Sequence, residues 1–137
     1  MSATSPPSVP LKGVLVFVVD DNRLLGEITQ QLLATAGYET KLFHEGLPAR
    51  DELLATAAPP VVLVTDFDIG DINGLDLINQ VRAKLPDLMT LLVSGTAQPG
   101  VLARNPIKPD LFLAKPFRAA DLISAVDRLA AQARGAV

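Results

Sequence analysis

Apolar residues fall along this chain in two alternating rhythms. Residues 14–19, Val-Leu-Val-Phe-Val-Val, form an unbroken apolar run, as a strand covered on both faces requires. Leu24, Leu25, Ile28, Leu32, Leu33 and Ala36 then recur at helical spacing, and Gly37 supplies a helix stop. Residues 38–43 alternate weakly, the pattern of an outer strand. Residues 47–57 read as a helix with Pro48 at its start, ended by Pro59 and Pro60. A third strand follows at 61–65. Leu75, Ile78, Val81, Arg82 and Leu85 mark a helix that stops at Pro86. Residues 88–93 and 111–114 are the fourth and fifth strands. A last amphipathic helix spans 119–133, with Leu122, Ile123, Val126, Leu129 and Ala130 on its inner side.

Strand–helix alternation predicts an α/β domain: a parallel sheet with helices on both faces, joined by right-handed crossovers. One stretch breaks the rhythm. A helix is due between Ser94 and Leu111, but Pro99, Gly100, Pro106 and Pro109 crowd it. Proline inside a helix costs ~3 kcal/mol, so at most a short turn fits at 101–104. Residues 1–12, rich in Ser and Pro, read as a flexible tail, 13–134 as the folded domain, and 135–137 as a C-terminal tail.

Composition narrows the function classes. The 137 residues suffice for one domain with a real core. The net charge of −3 offers no basic face, so direct DNA binding is not expected. Cysteine is absent, which excludes a disulfide framework and thiolate metal sites. No apolar stretch approaches the ~20 residues of a membrane span. The first residues do not read as a signal peptide, so a cytoplasmic location is expected.

Chemistry-bearing residues stand at the ends of the apolar runs. Asp20 and Asp21 close the first, Asp66 the third and Ser94 the fourth, and Lys115 follows the fifth. In an open parallel sheet these ends share one edge, where ligands bind. Asp20, Asp21 and Asp66 could together supply oxygens to Mg²⁺. A carboxylate can attack phosphorus to form an aspartyl phosphate, stabilised by a metal and a lysine. Asp66 is the candidate acceptor, Lys115 the candidate cation, and Ser94 a hydrogen-bond donor to the phosphoryl group. A cis bond at Lys115-Pro116 would aim the lysine back over the site. Each residue alone has a plainer reading. The acidic pair suits a helix N-terminus, Asp66 a turn, Ser94 a strand-end cap, and Lys115 a solvated surface. The apolar residues flanking Lys115 argue for a buried element instead. His44, the one histidine, reads as a surface residue.

Four segments in order resemble the receiver domain of two-component response regulators. They are Val18-Val19-Asp20-Asp21-Asn22, then residues 64–75 around Asp66, then Leu92-Val93-Ser94-Gly95-Thr96, then Phe112-Leu113-Ala114-Lys115-Pro116-Phe117. The resemblance implies a flavodoxin-like fold: a doubly wound five-stranded parallel sheet of order 2-1-3-4-5, here with an irregular or shortened helix before the fifth strand. It also implies a phosphoacceptor signalling protein rather than an enzyme. Asp66 would receive a phosphoryl group from a histidine kinase or a histidine phosphotransfer protein, with Mg²⁺ as cofactor. Asp21 and Asp66 would bind the metal directly, Asp20 through water, and Asp68 through its backbone carbonyl. Ser94 and Lys115 would contact the phosphoryl group. Ser94 and Phe112 match the switch positions, and Gly74 matches the glycine that opens the third helix. The downstream target would be another protein.

Three departures stand out. Gly70 replaces a usual proline, which should loosen the acceptor loop, and Asp68 adds an acid beside the site. The proline-rich 95–110 segment makes pairing through the usual output face doubtful and suggests an order–disorder switch there. Two other readings compete. A haloacid dehalogenase-type phosphatase also carries an Asp-x-Asp motif after a strand, but places its acidic pair late rather than first. A receiver-like docking module that is never phosphorylated is the other.

Overall fold

The computed structural model describes residues 13–95 and 108–135. Five strands and four helices alternate: β1 (Leu15–Val19), α1 (Arg23–Thr35), β2 (Glu39–Phe43), α2 (Gly46–Ala55), β3 (Val62–Asp66), α3 (Gly74–Arg82), β4 (Met89–Ser94), β5 (Leu111–Ala114) and α4 (Ala119–Gly135). All strand pairs are parallel, and the sheet order is β2-β1-β3-β4-β5. The fold class is the doubly wound one expected. The prolines at 99 and 106 and the turn at 101–104 lie outside the described residues. Among the described residues, no helix is long and apolar enough to cross a membrane.

Alternation along the central strands splits the core in two. Val16, Val18, Val62, Val64, Leu91 and Val93 face α1 and α4, where Leu33, Leu122, Val126 and Leu129 meet them. Phe17, Val19, Leu63 and Leu92 face α2 and α3, where Leu53, Ile78 and Val81 meet them. Fully burying a side chain of this size contributes roughly 1.5–3 kcal/mol, so the two layers fix the register of the sheet. β3 and β4 are buried at almost every position, whereas the outer strands β2 and β5 are half-exposed.

Three differences from the sequence reading have physical causes. α1 turns a different face inward. Gly26, Thr29 and Leu33 are buried, while Leu24, Leu25 and Ile28 are 66%, 40% and 46% exposed. The reason is a close approach at Gly26. A Cβ there would lie 3.0 Å from Leu42 Cδ1 and 3.4 Å from Asp20 Cβ, so the helix meets the sheet through its glycine. α3 ends at Arg82, with Leu85 in the following turn. β5 is an edge strand, so Lys115 does not follow a buried element, and Phe112 on that strand is 39% exposed.

Candidate functional site

Each site residue stands at the end of a strand or just beyond it: Asp66 and Ser94 close β3 and β4, and Asp20, Asp21 and Lys115 follow β1 and β5. The ladder continues one residue past the strands. Asp20 N–H donates to Phe43 O (3.0 Å), Phe67 N–H to Val93 O (2.9 Å), and Lys115 N–H to Ser94 O (3.0 Å). The backbone at 20, 67, 94 and 115 is therefore fixed by the sheet. Asp20 Oδ1 accepts from Asn22 N–H (2.9 Å), and the Asn22 side chain caps α1 by accepting from Leu25 N–H (3.0 Å). On the other side, the Asn73 side chain caps α3 through Asp76 N–H (2.9 Å).

Glycine sets the spacing where α3 begins. Gly74 N–H donates to Phe67 O (2.8 Å), and a Cβ on Gly74 would fall 2.4 Å from the Asp66 carbonyl oxygen. Only glycine lets α3 start so close to the candidate acceptor. Gly70 has φ +94°, a backbone that proline, locked near −65°, cannot adopt. The acceptor loop thus follows a left-handed path at Gly70, a more specific consequence than loosening.

Asp20, Asp21 and Asp66 converge. One carboxylate oxygen from each lies within 4.8 Å of the others. Asp20 and Asp66 are buried and Asp21 is exposed. Lys115 Nζ donates to Asp66 Oδ2 at 3.0 Å and lies 3.9 Å from Asp20 Oδ2. The Lys115-Pro116 peptide bond is cis. Burial holds the Asp20 carboxyl above the usual carboxylate range; the Asn22 N–H and Lys115 oppose that shift, and Asp66 and Asp21 add to it. Such a crowd of acids is the environment a divalent cation would relieve. Ser94 is buried at the end of β4, in register with Ala114, the residue directly before Lys115. Asp68 is exposed and forms a bridge with Asn73 across the acceptor loop. Phe112 lies on β5, hydrogen-bonded in register with Leu92 of β4.

One neighbour of the site escaped the sequence reading. His44 is half-buried, and its Nδ1 lies 3.0 Å from the Asp20 carbonyl oxygen. A carbonyl only accepts, so Nδ1 carries the proton. The ring fastens the peptide from which Asp20 and Asp21 diverge. Its position directly after β2, beside a strand that ends at the site, was the only available signal.

The chain as a whole is similar to known proteins. The response regulator receiver domain model matches residues 16–127. The chain is 33% identical over 108 residues to the chemotaxis protein CheY1 of Helicobacter pylori, covering 74% of this chain and 85% of that protein. It is 32% identical over 114 residues to the response regulator MprA of Mycobacterium bovis, covering 81% of this chain but only 48% of that regulator. Among solved structures, a CheY-like receiver domain protein from Methanospirillum hungatei superposes with a TM-score of 0.83 at 19% identity, over 92% of this chain and all of that one. The beryllofluoride-activated receiver domain of DrrB superposes with a TM-score of 0.75 at 19% identity, over 85% of this chain and 97% of that one. These last two likenesses are of fold. The family match decides between the receiver and the dehalogenase-type phosphatase in favour of the receiver. The chain belongs to the response regulator receiver domain family.

Proposed function

We propose that the chain is a phosphoacceptor switch in which Asp66 takes a phosphoryl group from a phosphohistidine on a histidine kinase or phosphotransfer protein. The observation that carries this is the contact of Lys115 with Asp66 at 3.0 Å, inside a cluster of three carboxylates. Phosphoryl transfer needs positioning and charge compensation more than covalent machinery. Lys115 holds the Asp66 side chain in place through its 3.0 Å contact, and its ammonium remains beside the carboxylate that would attack. Ser94, buried and fixed at the end of β4, fits a hydrogen bond to the transferred group.

Magnesium fits the donor set, because hard cations take oxygen ligands. Asp21 and Asp66 would hold the ion, Asp20 would reach it through water, and the Asp68 carbonyl would add a ligand. When bound, the ion supplies positive charge against the phosphoryl oxygens. The chain assists its own phosphorylation and dephosphorylation. Phosphorylation would act through contacts with a downstream protein in the cytoplasm, with Ser94 and Phe112 reporting the change. Phosphate shifts that equilibrium only as far as it binds the two states differently.

Incubation with Mg²⁺ and acetyl phosphate, followed by intact mass, tests the reading. A Mg²⁺-dependent gain of one phosphoryl group is expected, absent in Asp66→Asn. No adduct, with steady release of phosphate from small phosphoesters, would instead make the chain a phosphatase. No adduct and no turnover would leave a docking module that is never phosphorylated.

A further inference from the structure

The outward face of α1 does not stand alone. Between α1 and the 115–119 loop runs a groove of about 630 Å³. Leu25 and Ile28 line one wall and Pro116 and Phe117 the other, with the fully buried Leu122 behind them. Its head, at the strand ends, is formed by Asp20, Asp66 and Lys115. The groove is thus apolar along its length and ionic at one end only. Its volume lies within the usual ~300–1,000 Å³ range of small-molecule pockets. Leu24, the most exposed large apolar residue among the described residues, is not part of the lining.

We propose that this groove holds the acyl chain of a small acyl phosphate, so that the protein takes phosphate directly from medium-chain acyl phosphates in preference to acetyl phosphate. The inference rests on Asp66 being the phosphoacceptor. The donor's two ends match the two parts of the groove. Its phosphoryl group is anionic and meets Lys115 and the cation held by the carboxylates. Its alkyl chain is apolar and lies against Leu25, Ile28 and Phe117. In the transfer, an Asp66 carboxylate oxygen attacks phosphorus and the bond from phosphorus to the acyl oxygen breaks. The fatty carboxylate leaves with the bonding electrons. The total charge is the same before and after, and no proton or redox partner is required. The only co-reactant is the divalent cation. Ile28 and Leu25 touch the chain alone, so they set which donor is used without entering the chemistry.

The test compares acetyl, butanoyl and hexanoyl phosphate with Mg²⁺, each below saturation, by the rate of intact-mass gain. The apparent second-order rate constant is expected to rise roughly two- to fourfold for each added methylene, the factor that burial of a methylene supplies. Ile28→Gln and Leu25→Gln keep the acetyl phosphate rate and flatten the series to within about twofold, because each removes apolar wall. A second readout uses hexylphosphonate with Mg²⁺, which is expected to shift the methyl resonances of Leu25 and Ile28 where methylphosphonate does not. Equal rates for all three donors would overturn the proposal, as would a chain-length trend that both variants preserve. Equal rates together with weaker transfer from a phosphorylated histidine phosphotransfer protein in Ile28→Gln would assign the face to a protein helix, again overturning it. If acetyl phosphate itself gives no adduct, the phosphoacceptor reading fails. The phosphonate titration then still decides the groove, since unshifted methyl groups would remove it as a binding site.

Discussion

Tyr38 buries its ring in the core and donates its hydroxyl to Asp127 of α4, 89 residues away in sequence. Burial raises the phenol's pKa above its usual value, and the Asp127 carboxylate adds to the shift through its hydrogen bond and charge. The sign follows from linkage. A phenol whose folded pKa is raised contributes stability fully below its unfolded value near 10. That stability is lost as pH rises beyond it, because the unfolded chain ionises first. Tyr38→Phe should therefore cost about 1.5–3 kcal/mol at pH 7, the worth of a hydrogen bond to a charged partner. The gap to the native chain should close above about pH 10. Urea unfolding at both pH values checks it. This is the one tyrosine and there is no tryptophan, so phenolate absorbance reports its titration directly. A gap that persists unchanged at high pH would show that only packing was lost. Neither this pair nor the contact of His44 with Asp20 was legible in the sequence. Periodicity carries information about neighbours one turn or one strand position away, and both contacts are made by side chains distant along the chain. Asp20, Asp21, Asp66, Ser94 and Lys115 were legible for the opposite reason: each follows an apolar run whose end the topology places.

Among the elements, α2 depends most on something outside itself. Its N-cap residue, Glu45, makes no side-chain capping bond. Asp71, from the acceptor loop, accepts instead from Gly46 N–H and Leu47 N–H, both at 2.9 Å. Slight burial works against the charge of Asp71, but the N–H groups of Leu47 and Gly46 outweigh it and hold the carboxyl below its usual range. The loop that carries Asp66 is thus tied to a helix on the same face of the sheet. Asp71→Ala should cost about 1 kcal/mol, as loss of a cap does, and speed amide exchange in the first turn of α2 and in the 67–73 loop together. Exchange that quickens in α2 alone would show that the loop does not lean on the cap. A depressed pKa gives stability that is present above the unfolded value and lost as pH falls through the folded one. The cost of the variant should accordingly shrink under acid. Helix positions were legible in the sequence, but helix rotation was not. The spacing of Leu24, Leu25, Ile28, Leu32 and Leu33 defines a stripe, and a stripe does not say which part of it meets the sheet. Gly26 decides that, by offering the closest approach.

For the whole molecule, the alternation of runs and periods was enough to predict a parallel doubly wound sheet. That architecture brings residues from four strand ends to one edge. The same convergence sets its energetic burden. Folding gathers three carboxylates within 4.8 Å, two of them buried, and Lys115 is the one cation among the described residues that contacts two of them. The unfolded chain holds them apart and has no reason to bind a divalent ion strongly. An ion that binds only the folded state stabilises it by RT ln(1 + [L]/Kd), which is about 2.7 kcal/mol at a hundred times Kd. Magnesium chloride should therefore raise the melting temperature by several degrees, against a control of sodium chloride at equal ionic strength. The rise should vanish in Asp21→Asn. Asp21 suits the test because it is exposed, so its replacement leaves the core intact. The Asp21→Asn protein should also melt at or above the native protein in the absence of magnesium, since it removes one of three crowded charges. An equal rise in both salts would reduce the effect to general screening. A magnesium-specific rise retained by Asp21→Asn would move the cation away from this edge of the sheet.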